Sequence, residues 1–192
     1  DNRNQNDSSI LIDSIDITSV PLNVLRNSLS IIPQDPVLFS GTIRKNLDPF
    51  SIYTNDELWN ALSMVTLKQF VLSLTHQLDY NIGNNGENFS VGQRQLICFA
   101  RALLKKSKII IMDEATASVD SQTDEKLQNM IRKKFANQTV ICIAHRLDTI
   151  LDSDRVCVME NGQVVECDTP DSLLNNDKSL FYGLVQEMQD RK

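Results

Sequence analysis

Two acids stand side by side at the end of an apolar run in "IIIMDEATASVD", residues 109–120. Three isoleucines and a methionine lead directly into Asp113 and Glu114. A short continuous apolar run rich in β-branched residues reads as a buried strand of a parallel sheet. Open α/β sheets bind ligands at the carboxyl ends of such strands. A carboxylate there can hold Mg²⁺ directly or through water, because Mg²⁺ prefers oxygen ligands. A second carboxylate beside it can polarise an attacking water, so the pair suits hydrolysis of a phosphoanhydride. Taken alone, the two acids fit equally well a solvated strand end that runs into a helix cap.

A second segment offers anion chemistry. In "ENFSVGQRQL" the spacing of Ser90 and Gln93 predicts a capping box. Val91, Gly92 and Gln93 then fall in the first helical turn, where backbone N–H groups and a partial positive charge can receive a phosphate. Gly92 would let that phosphate approach the backbone closely. In isolation, an ordinary capped helix explains this stretch better. His145 ends the apolar run "TVICIA", and Gln34 follows the run "LSII". A lone histidine is usually structural, and a lone glutamine amide is unremarkable, although it could reach a metal or a water. Trp59 belongs to the packing face of a helix.

The elements that must position these residues are legible from periodicity. "ILIDSIDI" reads as a strand pair turning near Asp13–Ser14, "PLNVLRNSL" as a short helix, and "LSII" as a strand stopped by Pro33. Thr54 and Glu57 form a further capping box, ahead of Leu58, Trp59, Leu62 and Val65 on one face. Leu96, Ile97, Ala100, Leu103 and Leu104 stripe the helix behind Ser90. A helix is expected over about 121–134 with Leu127, Met130 and Ile131 inward. "TVICIA" reads as a second buried strand, and "RVCVMENGQVVEC" as a hairpin turning at Asn161–Gly162 in type I′ geometry. Short helices are expected near 170–174 and 179–189. The strand–helix–strand alternation predicts an α/β fold with a parallel sheet and right-handed crossovers.

The 192 residues suffice for one ordinary domain, and 41% hydrophobic content is that of a globular chain. A net charge of -6 argues against a nucleic-acid partner bound through a basic surface. No apolar run approaches a membrane span, and the N-terminus shows no signal peptide, so the segment itself reads as soluble. The four cysteines, Cys98, Cys142, Cys157 and Cys167, have no metal-ligand spacing and are expected to be buried, reduced thiols.

Four stretches together resemble a known family. "IIPQDPVLFSGTIRKNLDP", "FSVGQRQL", "IIIMDEATASVD" and "VICIAHRLDTILDSDRVCVMENGQVVECDTP" resemble, in order and spacing, the nucleotide-binding domain of ATP-binding-cassette (ABC) transporters. The resemblance runs from Ile10 to the C-terminus. It is greatest for the second nucleotide-binding domain of subfamily C, the group of multidrug-resistance-associated proteins and sulfonylurea receptors. The resemblance implies a P-loop NTPase-like core with an inserted helical subdomain, using ATP and Mg²⁺. It implies that Asp113 holds Mg²⁺, with Gln34 near the ion and near the surface coupled to the membrane domain. Glu114 becomes the general base or water-orienting residue, and His145 the contact to the γ-phosphate. Ser90, Val91, Gly92 and Gln93 become the signature motif, which clamps the γ-phosphate held by a partner domain. Asp120 closes the loop that crosses that dimer interface.

The implied partners are another nucleotide-binding domain, arranged head to tail, and transmembrane domains of the same polypeptide. The implied location is the cytoplasmic face of a membrane, as part of an export machine. Residues 1–9 are expected to be a polar tail and 10–45 a core remnant. Residues 46–107 would be the helical subdomain, and 108–192 the remaining core.

One part of the family pattern is absent. No glycine precedes a lysine, so the phosphate-cradling sequence GxxxxGK[ST] is missing. The chain is therefore expected to be a piece of a longer protein, binding ATP weakly by itself. Strands 109–113 and 139–144 are expected to expose apolar surface for the same reason. A competing expectation is a non-catalytic module that pairs with a complete nucleotide-binding domain and regulates it. A soluble, non-transport ABC ATPase is the third.

Overall fold

Leu29–Ile32 pairs in parallel with Ile109–Asp113, Leu29 lying opposite Ile109 and Ile32 opposite Met112. Thr139–Ile143 hydrogen-bonds to the other side of Ile109–Asp113. The Thr139 N–H donates to the Lys108 carbonyl at 2.9 Å, which joins these two strands start to start. The computed structural model describes residues 9–116, 118–143 and 147–190. The chain is α/β and divides into two units, the first reaching Cys142 and the second beginning at Ile143.

In the first unit, one sheet face carries Ser30, Ile32, Ile110 and Met112, all buried. The helix Val91–Lys105 packs against the Leu29–Ile32 strand and against the helix Asn55–Met64. Both helices start as predicted, with complete capping boxes at Thr54–Glu57 and Ser90–Gln93. Such a cap is worth about 1 kcal/mol. Leu58, Leu62, Val65, Ile97, Phe99 and Leu127 form the centre of the core. Phe89 packs edge-on to Phe70, with ring centroids 5.5 Å apart. The helix Ser121–Lys134 buries Leu127, Met130 and Ile131, as its periodicity predicts.

The other sheet face is bare in part. Ile31 is 65% exposed, and Ile141 and Ile143 on the third strand are 52% and 53% exposed. The reading of "TVICIA" as a buried strand is thus corrected: among its described residues Val140 packs against the core, while Ile141 and Ile143 stay exposed. The expected exposure of apolar surface on this strand is what the structure has.

The cysteines also depart from expectation. Cys98 is buried, but Cys142, Cys157 and Cys167 are exposed. Their apolar neighbours pointed inward by composition alone, whereas these strands have too little packed against them to bury a thiol.

In the second unit, Val156–Glu160 and Gln163–Asp168 form the antiparallel hairpin. Asn161 and Gly162 both have positive φ, 50° and 79°, as a type I′ turn requires. A small core of Leu173, Phe181 and Val185 lies within this unit. Glu166 caps the final helix, Leu180–Asp190. Its Oε1 accepts from the Leu180 N–H at 2.9 Å, and its Oε2 from the Phe181 N–H at 3.1 Å and the Ser179 hydroxyl at 2.8 Å.

These bonds favour the charged carboxylate and hold the Glu166 pKa below its usual value, the Leu180 N–H contributing most. A depressed carboxylate pKa stabilises the fold above the unfolded value of about 4.3. That contribution is lost as pH falls through the lower folded value. Amide protection at Leu180 and Phe181, taken as exchange relative to an unstructured peptide at the same pH, should therefore fall on acidification below about pH 4. A Glu166→Gln variant should show fast exchange there already at neutral pH, and equal exchange in both proteins would refute the cap.

Candidate functional site

Asp113 is the last residue of its strand, and Glu114 follows in a left-handed conformation with φ 43°. A non-glycine residue rarely takes that conformation, which costs of order 1–3 kcal/mol. The bend holds Glu114 where the Gln34 Nε2 donates to its Oε2 at 3.0 Å, across 80 residues of sequence. Gln34 reaches it because Leu29–Ile32 and Ile109–Asp113 run parallel and end together. The structure thus gathers Gln34, Asp113 and Glu114 at one end of the sheet. Gln34 is exposed, and both acids are half-buried.

With its nitrogen turned to Glu114, Gln34 keeps its amide oxygen for another partner. That oxygen and the Asp113 carboxylate are hard donors, of the kind Mg²⁺ takes alongside water and phosphate oxygens. Among the described residues, no group of three or more His, Cys, Asp or Glu is placed to hold a metal. An amide oxygen and one carboxylate are two donors, and a Mg²⁺ held by them would take its other positions from water and phosphate.

A second cluster forms around the start of the Val91–Lys105 helix. The Ser90 Oγ accepts from the Gln93 N–H at 3.1 Å, and the Gln93 Oε1 accepts from the Ser90 N–H at 2.9 Å. Serving as acceptor leaves the Ser90 O–H proton able to donate. The Val91 and Gly92 N–H groups belong to the first turn and have no intrahelical acceptor. The end therefore presents donors and a partial positive charge.

Gly92 has a further role that the sequence did not disclose. A Cβ on it would lie 3.1 Å from the Ser118 carbonyl oxygen. The helix start and the 118–120 loop are thus in close approach. Asp120 ends that loop as a helix cap, its Oδ1 accepting from the Thr123 N–H at 3.0 Å. This bond holds its pKa below the usual carboxylate range. Gly92→Ala sets two effects against each other. Helix propensity favours alanine by up to about 1 kcal/mol, while pressing on backbone costs about 1–3 kcal/mol. The contact is a peptide oxygen that cannot rotate away, so a net loss of about 1 kcal/mol is expected, seen as a lower denaturant midpoint. A raised midpoint would mean the loop yields freely.

Gln95 and Arg101, on the same helix, went unnoticed in the sequence. Gln95 is 1% exposed, and its Nε2 donates to the Pro33 carbonyl at 3.0 Å. It ties the helix to the residue before Gln34. Arg101 donates its Nε to the Asn46 carbonyl, its Nη2 to the Asn46 Oδ1, and its Nη1 to the Val37 carbonyl. Its guanidinium also lies 5.5 Å from the centre of the Phe39 ring. Polar residues breaking the apolar stripe of "RQLICFARALL" were the available signal. His145 lies outside the described residues.

Comparison with known proteins follows the same lines. A family model described as "ABC transporter" matches residues 2–117. "ATP-binding cassette sub-family C member 4" of Homo sapiens is 54% identical over 182 residues, covering 95% of this chain and 14% of that protein. "ATP-binding cassette sub-family C member 2" of Homo sapiens is 54% identical over 178 residues, covering 93% of this chain and 12% of that protein. This chain thus spans well under a fifth of either relative. Among solved structures, "Structure of a bacterial Atm1-family ABC exporter with ATP bound" is similar with a TM-score of 0.87 and 34% identity. It covers 93% of this chain and 31% of that one. The α/β fold with its parallel sheet is of the P-loop NTPase type.

Proposed function

Since the chain belongs to the ABC transporter family, we propose that it serves as the C-terminal part of an exporter's ATP-binding domain, coupling ATP hydrolysis to transport. These relatives belong to sub-family C, and the wording of the motifs at residues 34–49 and 89–96 is what favours the second of two such domains as its place. The observation that carries the reading is the Gln34–Glu114 hydrogen bond at the end of the parallel sheet, beside Asp113. It joins two of the groups that phosphoanhydride hydrolysis needs, and Asp113 is the residue before Glu114.

In this reading Asp113 and the Gln34 amide oxygen would hold Mg²⁺, which when bound neutralises charge on the phosphates. Glu114 orients an attacking water and accepts its proton. His145 would contact the γ-phosphate. Ser90, with the N–H groups of Val91 and Gly92, would receive the γ-phosphate of a nucleotide held by a second nucleotide-binding domain, and Gln93 keeps Ser90 in place. Asp120 shapes the adjoining loop by capping its helix. The phosphate-cradling loop is not in this sequence and would have to come from elsewhere in the polypeptide.

Transmembrane domains of the same polypeptide are the second proposed partner, which would place the domain at the cytoplasmic face of a membrane. Val37, Phe39, Phe50 and Ile52 are 56%, 66%, 82% and 68% exposed, and this apolar surface supports such a dock. Among the described residues, no helix is long and apolar enough to cross a membrane.

The test compares two proteins in sealed inverted vesicles. A polypeptide carrying this segment with a phosphate-binding loop and membrane domains should take up an amphipathic organic anion only when ATP is supplied. The 192-residue chain alone should show no micromolar ATP affinity. Uptake indifferent to ATP, or tight ATP binding by the chain alone, would overturn the reading.

A further inference from the structure

Cys157 and Cys167 face each other across the hairpin, residue opposite residue. Their Sγ atoms are 3.1 Å apart, sharing a hydrogen bond. Both residues are exposed, so a small oxidant can reach them. The turn between them, with Asn161 and Gly162 both at positive φ, and the register shift between Val158 and Met159 together set the pairing that keeps the sulfurs opposite each other. Sharing the proton with Cys167 is the largest influence on Cys157 and raises its thiol pKa. Exchange should therefore quicken as pH rises. Cys98 is buried, and Cys142 has no cysteine opposite it among the described strands.

We propose that Cys157 and Cys167 are a redox modification site that closes to a cross-strand disulfide by exchange with a small disulfide of the glutathione class. One thiolate of the pair attacks a sulfur of glutathione disulfide. The glutathione S–S bond breaks, a protein–glutathione bond forms, and one glutathione thiolate leaves and takes up a proton. The second cysteine then attacks the protein sulfur of the mixed disulfide and releases the other glutathione. The balance is two protein thiols oxidised to one disulfide, and one glutathione disulfide reduced to two glutathiones. The closed pair would stiffen the strand that bears Glu166 and Asp168. Glu166 caps the final helix, and Asp168 accepts from the Ser172 hydroxyl at 2.8 Å. This site does not depend on the nucleotide reading.

The test equilibrates the full chain with glutathione disulfide and glutathione at stepped ratios, in native buffer and in urea. Free thiols are then alkylated and linked peptides mapped by mass spectrometry. The expected result is a Cys157–Cys167 link formed at a lower oxidised-to-reduced ratio in native buffer than in urea, lost again on adding dithiothreitol. Amide exchange at Leu180 and Phe181 should be slower in the linked form. Cys167→Ser should abolish the link and leave Cys157 as a mixed disulfide with glutathione. Equal ratios in buffer and urea, or both thiols fully alkylated at every ratio, would overturn the proposal without recourse to any variant.

Discussion

Glu114→Gln, in a polypeptide that joins this segment to a phosphate-binding loop, should lower ATP turnover by about 10²–10⁴-fold while nucleotide binding persists. Glutamine has nearly the shape of glutamate, and its amide oxygen can take the hydrogen bond that Gln34 now gives to Glu114 at 3.0 Å. The bend at φ 43° is a backbone feature that the substitution leaves alone. What disappears is a carboxylate able to accept a proton from water. A change confined to proton acceptance lowers the catalytic rate and spares affinity. Phosphate release and equilibrium nucleotide binding, measured on the same preparation, separate the two. Undiminished turnover would remove Glu114 from the chemistry, and lost binding would give it a part in holding the nucleotide.

Arg101→Met should lower stability by about 3 kcal/mol, because it removes three hydrogen bonds from a charged donor, two of them to the buried Asn46. The guanidinium spans the Asn46 carbonyl, the Asn46 Oδ1 and the Val37 carbonyl. Asn46 is 2% exposed and itself exchanges two hydrogen bonds with the Phe39 backbone. A hydrogen bond from a charged donor contributes about 1.5–3 kcal/mol. The full sum is not expected, since burial already disfavours the charge and lowers the Arg101 pKa. Methionine keeps much of the stem's packing, so the loss reports on the polar head. Lysine should rescue only in part, for a single ammonium cannot reproduce the fork. Denaturant unfolding of all three proteins provides the check, and an unshifted midpoint for Arg101→Met would show the network to be energetically neutral.

The sequence disclosed what is local. Capping boxes at Thr54–Glu57 and Ser90–Gln93, the type I′ turn at Asn161–Gly162 and the inward face of 121–134 depend on residues a few positions apart. The strand that ends in Asp113 was legible for the same reason. What depends on distant neighbours was not. The exposure of Ile141 and Ile143 follows from what fails to lie against them. Gln95 is read as a site-positioning residue only once the Pro33 carbonyl, 62 positions away, is seen to accept its hydrogen bond. Gly92 pointed to a phosphate, yet its immediate neighbour is the Ser118 carbonyl. The cysteine pair required the hairpin register, which hydrophobic context had obscured.

Among the described strands, Thr139–Ile143 has a hydrogen-bonded neighbour on one side only. Its free edge carries a row of backbone donors and acceptors flanked by two exposed isoleucines. Such an edge is a template for any extended chain. Expressed by itself, the segment would meet copies of itself before it met a correct partner, so its self-association should rise steeply with concentration. The yield of usable protein then becomes a question of kinetics, decided by whether a covering strand or a second copy arrives first.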